Sequence, residues 1–149
     1  MNINYYMNLA IELAKNAEKS DEVPVGALLV DESKNQIISK AKNNVIGLNN
    51  PTKHAELILI DDACKKLKSK YLFKTSIFVT LEPCTMCAAA ISEAKIGKIY
   101  FGAYNQTKGS LESLFNIYKK NNFFVPEVYG GINEKECSRM LKNFFISKR

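Results

Sequence analysis

A chain of 149 residues with 46% hydrophobic content can bury about one core, so a single domain spanning residues 1–149 is expected. Lysine plus arginine number 21 against 15 acids, a net charge of +6; this suits a polyanionic partner such as nucleic acid, or reflects a lysine-rich composition, because only Arg139 and Arg149 are arginines. The four cysteines are too few and too unevenly spaced for a secreted disulfide framework, no apolar run reaches membrane-spanning length, and Met1 to Tyr6 lacks the basic start and apolar core of a signal peptide; a cytoplasmic protein with no membrane partner is expected.

In chain order, Tyr6, Leu9, Ala10, Leu13, Ala14 and Ala17 recur at helical spacing and predict a first helix with one apolar face. Pro24 and Gly26 open the apolar run Val25 to Val30, which reads as a buried strand. Asp31 to Gln36 is a turn signal and Ile37-Ile38 starts a second strand, so the pair predicts a hairpin. A loop from Lys42 to Lys53, with Gly47 and Pro51, leads to a helix from near His54 to about Leu67. Ile77 to Leu81 is a third strand, halted by Pro83; Cys84 to Ala94 is Ala-rich and helical; Ile99 to Phe101 is a fourth strand. A helix from about Leu111 to Lys120 then precedes a fifth strand, Glu127 to Tyr129, and Glu134 to Ile146 closes as a helix. This alternation predicts a three-layer α/β domain whose sheet is partly parallel after the opening hairpin.

Sites in such folds lie at the carboxyl ends of strands. Leu81 to Cys87 is a strand end running into a helix start, where backbone N–H groups favour negative charge and make thiolates easier to form. Taken alone, Cys84-x-x-Cys87 has three readings besides a catalytic metal site: a redox pair, half of a structural zinc site with Cys64 and Cys137, or two inert buried thiols. Cys64 sits mid-helix beside Ala63 and Leu67, and Cys137 lies on the closing helix, positions where inert cysteine is usual. The single histidine, His54, is either an ordinary core or surface histidine or a third ligand to Cys84 and Cys87, the number that leaves a tetrahedral zinc one open position for water. Glu56, two residues on, is poorly placed to share the metal as an i, i+4 ligand and is left free to handle protons.

His54-Ala55-Glu56 together with Pro83-Cys84-Thr85-Met86-Cys87 is the signature of the zinc-dependent nucleobase deaminases. Glu22 to Ala27, Asn50 to Glu56, Leu81 to Cys87, Phe101-Gly102-Ala103 and the ending from Gly130 through Cys137 to Phe145 resemble, over essentially the whole chain, the bacterial tRNA-specific adenosine deaminases. The resemblance implies a three-layer α/β/α cytidine deaminase-like fold with a five-stranded mixed sheet. It also implies one zinc per chain and conversion of the wobble adenosine to inosine in the anticodon loop of a tRNA, of the arginine kind, by a homodimer whose two subunits both touch the RNA. By the same resemblance Asn43 lies against the target base and Val25 and Ala55 line its pocket. Asn105 stands near the nucleotide where an aspartate is common, and Ala89 where a glycine is common. Lys108 and Lys53 are candidates for phosphate contacts, and Phe145, beside Phe144, for stacking on a loop base.

Guanine or another nucleobase remains the alternative substrate within the superfamily. The expected Leu111 to Lys120 helix implies a parallel crossover, which favours the nucleic-acid and guanine branch over the free-cytidine enzymes. An inactive RNA-binding scaffold would usually lack the proton-shuttling glutamate, which is present here as Glu56.

Overall fold

A computed structural model describes residues 1–120 and 122–148. Five strands, β1 (Gly26–Asp31), β2 (Gln36–Lys42), β3 (Thr75–Leu81), β4 (Lys98–Ala103) and β5 (Glu127–Tyr129), form one sheet in the order β2-β1-β3-β4-β5. Strand β1 runs antiparallel to both β2 and β3, whereas β3, β4 and β5 run parallel. Helices α1 (Ile3–Lys19) and α4 (Glu134–Ser147) cover one face of the sheet; α2 (Ala55–Leu67) and α3 (Thr85–Glu93) cover the other. This is the expected three-layer α/β/α arrangement with a mixed sheet.

Side chains alternate across a strand, and both sets find a helix layer. Leu28, Val30, Phe78 and Tyr100 pack with Tyr6, Met7, Ala10 and Met140, while Ala27, Leu29, Ile77, Val79, Ile99 and Phe101 pack with Leu59, Ala63, Ala88 and Ile91. Because both faces are covered, the strands read as unbroken apolar runs. Phe78 stacks on Tyr100 at 4.7 Å and Tyr100 on Tyr129 at 5.1 Å, so one column of rings ties β3, β4 and β5 together.

Gly26 shows how tightly α1 lies on the sheet. A Cβ there would press into the Ala10 carbonyl and come within 2.7 Å of the Ala14 nitrogen. Backbone cannot retreat as a flexible side chain can. Gly26→Ala is therefore expected to destabilise by about 1–3 kcal/mol or more, the usual cost of overpacking, read as a fall in the urea midpoint at unchanged slope.

Two sequence expectations are corrected. The α1 face is wider than the spacing indicated: Met7 and Ile11 are fully buried with Tyr6, Ala10, Ala14 and Ala17, whereas Leu9 and Leu13 are only half-buried. Between Leu111 and Lys120 there is no α-helix, only turns ending in a single 3-10 turn at Ile117–Lys119. The N–H groups of Leu111, Glu112 and Ser113 donate to the Glu82 carboxylate, which draws the chain around an anion instead of along a helix axis. The parallel crossover inferred from that segment is nevertheless present, since β4 and β5 pair in parallel.

Candidate active site

The carboxyl ends of β3 and β4 meet the amino ends of α2 and α3 at a cavity of about 1120 Å³, lined by Val25, Asn43, His54, Glu56 and Cys84 among others. His54 and Cys84 occupy equivalent positions: each is the extended residue capping a helix start, and neither side chain caps its own helix. Both side chains turn toward each other instead. Cys87, three residues past Cys84, lies in the first turn of α3 and points to the same spot. His54 Nδ1 is 3.7 Å from Cys84 Sγ and 3.5 Å from Cys87 Sγ.

That triangle fits zinc. Ligands on a tetrahedral zinc, at about 2.1 Å for nitrogen and 2.3 Å for sulfur, stand roughly 3.5–3.8 Å from one another. Among the described residues this is the group of histidine, cysteine and acidic side chains able to hold a metal. A hydrogen bond from the Cys87 thiol, followed by His54 working against burial, pulls Cys84 down to about 4. The same bond, with burial and the Glu56 charge, pushes Cys87 up, and Cys84 in turn raises His54. Two sulfurs this close share a proton unless a cation compensates both charges, which is the donor chemistry of a zinc site.

Glu56 lies in the first turn of α2, buried at the cavity floor. Burial lifts its carboxyl to about 7, opposed by its own backbone N–H and reinforced by the charge of Cys84. A carboxyl with that affinity holds and releases a proton near neutral pH.

The other candidates fall at different depths. Val25 is buried in the wall, and its carbonyl accepts the Asn43 N–H. Asn43 Oδ1 accepts the Ala55 N–H at 2.8 Å, so Asn43 caps α2 in place of His54; its amide donor is the group it has to offer a ligand. Ala55 is fully buried against the sheet and lies outside the cavity lining. Asn105 and Lys108 line the cavity mouth. Asn105 Oδ1 accepts the N–H and hydroxyl of Thr107 and the N–H of Lys108, an internal turn that shapes the loop. Phe145 lines the far end half-exposed, packed edge-on against the buried Phe144. Lys53 lies outside the lining. Cys64 and Cys137 are remote from the metal group, and burial pushes both thiols up, Cys137 to about 12.

Sequence reasoning missed two acids. Glu22 and Glu82 line the same cavity yet are 2% and 1% exposed. Glu22 accepts the N–H groups of Ile46 and Gly47, and Glu82 those of Asn105, Leu111, Glu112 and Ser113 together with the Ser113 hydroxyl. Burial raises the Glu82 carboxyl, but these donors outweigh it and hold the group below the usual carboxylate range. An acid at a strand end, two residues before Cys84, was the available signal.

A family model described as the cytidine and deoxycytidylate deaminase zinc-binding region matches residues 1–103. A tRNA-specific adenosine deaminase of Rickettsia bellii is 41% identical over 140 residues, covering 93% of this chain and 97% of that relative. A solved structure from work on A-to-I editing by tRNA:A34 deaminases at the wobble position of transfer RNA superposes with a TM-score of 0.88 and 40% identity, over 92% of this chain and 99% of that one. A guanine deaminase from Bacillus subtilis is a weaker match, with a TM-score of 0.66 and 31% identity over 82% of this chain and 78% of that one.

Proposed function

The chain belongs to the tRNA-specific adenosine deaminases of the cytidine and deoxycytidylate deaminase zinc-binding family, and on that premise we propose that it hydrolyses the wobble adenosine of a tRNA, of the arginine kind, to inosine. The observation that carries this reading is a buried glutamate beside a His/Cys/Cys zinc triangle at the floor of a cavity large enough for a nucleotide and its neighbours. Residues 1–149 act as one deaminase domain in this reading.

His54, Cys84 and Cys87 would hold one zinc per chain, and the bound metal would supply hydroxide from water near neutral pH. Glu56 carries the protons. It takes one from water and delivers it to the ring nitrogen of adenine as the hydroxyl adds to the ring carbon bearing the amine; it then moves that hydroxyl's proton to the amine, the C–N bond breaks as the carbonyl forms, and one water is consumed for one ammonia released. The Asn43 amide donates to the edge of the base, and Val25 provides apolar wall. Extruding an unpaired anticodon base is cheap compared with breaking a duplex. Lys108 reaches for a flanking phosphate and Phe145 for a neighbouring base.

No helix among the described residues is long and apolar enough to cross a membrane. The family membership supports a cytoplasmic location and a homodimer, and the charge of +6 supports RNA binding. The test is inosine at the wobble position of an arginine tRNA after incubation with the purified protein, with guanine and free adenosine as contrasts. Ready deamination of guanine with the wobble adenosine untouched would reassign the substrate and leave the metal site standing.

A further inference from the structure

The geometry points to Glu82 as a positioning residue for RNA: its carboxylate is the template on which the Asn105 to Ser113 loop folds, and that loop presents Lys108 beside the zinc ligands. The inference rests on the reading of the site as one that takes a tRNA.

Glu82 is buried and has no cationic partner among the ion pairs of the described residues. A buried carboxylate without a cation is costly unless its lone pairs are filled. Here they are filled from the loop alone. One oxygen takes the Asn105 N–H at 3.1 Å and the Ser113 hydroxyl. The other takes the N–H groups of Leu111, Glu112 and Ser113 at 3.1, 2.7 and 3.0 Å. Successive N–H groups converging on one anion fix the backbone between them.

The loop is drawn so close that Gly109 has no room for a side chain: a Cβ there would lie 2.5 Å from the Glu82 carboxyl carbon. The same loop is tied to the zinc-ligand turn by a bridge between Cys84 and Gly109, by the Ser110 N–H on the Pro83 carbonyl at 3.1 Å, and by the Thr85 and Ser110 hydroxyls at 2.7 Å. Between the two anchors Asn105 and Ser113, the segment from Gln106 to Lys108 is exposed and lines the cavity mouth. Glu82 fixes the two anchors, and between them Asn105 Oδ1 closes the turn by accepting the Thr107 and Lys108 N–H groups. Glu22 holds a different segment of the cavity lining in the same way, through the Ile46 and Gly47 N–H groups, which makes it the natural control.

The experiment measures tRNA affinity by filter binding, KM and kcat with the same tRNA, and zinc content, for Glu82→Gln, Lys108→Ala, Glu22→Gln and the two doubles containing Lys108→Ala. Turning one oxygen into an NH2 sets donor against donor, so Glu82→Gln should weaken binding and raise KM about tenfold or more, with kcat at saturating RNA and zinc content unchanged. Because Glu82 acts through the loop that carries Lys108, Glu82→Gln with Lys108→Ala should be little worse than Glu82→Gln alone. The Glu22→Gln and Lys108→Ala losses should instead multiply. Should Glu82→Gln fail to fold, Ser113→Ala, which removes one donor, is expected to weaken binding in the same direction. Parental affinity in the folded variant, a fall in kcat at constant KM, loss of zinc, or losses that multiply with Lys108→Ala would each overturn the role. Binding needs no turnover, so a parent protein that binds tRNA without forming inosine would overturn the proposed reaction while leaving this coupling measurable.

Discussion

Glu56→Gln is expected to keep its zinc and its fold and to lose turnover by at least ~10²–10⁴-fold, the usual contribution of a single general acid–base group. The loss should reach the upper end, because the residue moves a proton more than once. The substitution keeps the shape of a side chain that is 4% exposed, and an amide is cheaper to bury than a carboxylate that burial has already lifted to about 7. Thermal stability should therefore be held or improved while kcat collapses. Single-turnover inosine formation, run beside zinc analysis and thermal melting, checks all three. Near-parental kcat would reduce Glu56 to a structural acid and remove the proton route.

His54→Ala is expected to drop zinc from about one equivalent per chain to a small fraction after dialysis against a chelator, with activity falling to background. Two sulfurs remain in that variant, and a catalytic zinc needs three protein ligands to stay bound with one position open. The start of α2 should survive, because Asn43 and not His54 meets the Ala55 N–H, so circular dichroism should remain close to that of the parent. Cys64→Ala and Cys137→Ala serve as controls. Neither sulfur joins the metal group, so both variants should keep full zinc. Full zinc in His54→Ala, or its loss from either control, would place the metal elsewhere.

Local spacing placed His54, Cys84 and Cys87 at helix starts, each written in a few neighbouring residues, while joining His54 to the cysteine pair some 30 residues on rested on the combined motif. Local spacing was also enough for the strands, whose apolar runs are bounded by turn residues, and for α2, α3 and α4 to within a residue or two. It failed at Leu111 to Lys120, whose residues favour a helix, because the competing partner for their N–H groups is Glu82, 29 to 31 residues earlier in the chain. Asn43 as the cap of α2 was hidden for the same reason, 12 residues away across a loop, and so was Glu22 beneath Ile46 and Gly47. The burial that lifts Glu56 is a property of the sheet order β2-β1-β3-β4-β5 and of two helix layers closing over it, which no window of sequence contains. Which residues could do the chemistry was thus legible from the combined motif, because each half of it is a local helix-start pattern even though the two halves lie some 30 residues apart. How the cavity rims are held, and at what pH Glu56 gives up its proton, depended on hydrogen bonds and desolvation between segments that only the folded chain brings together.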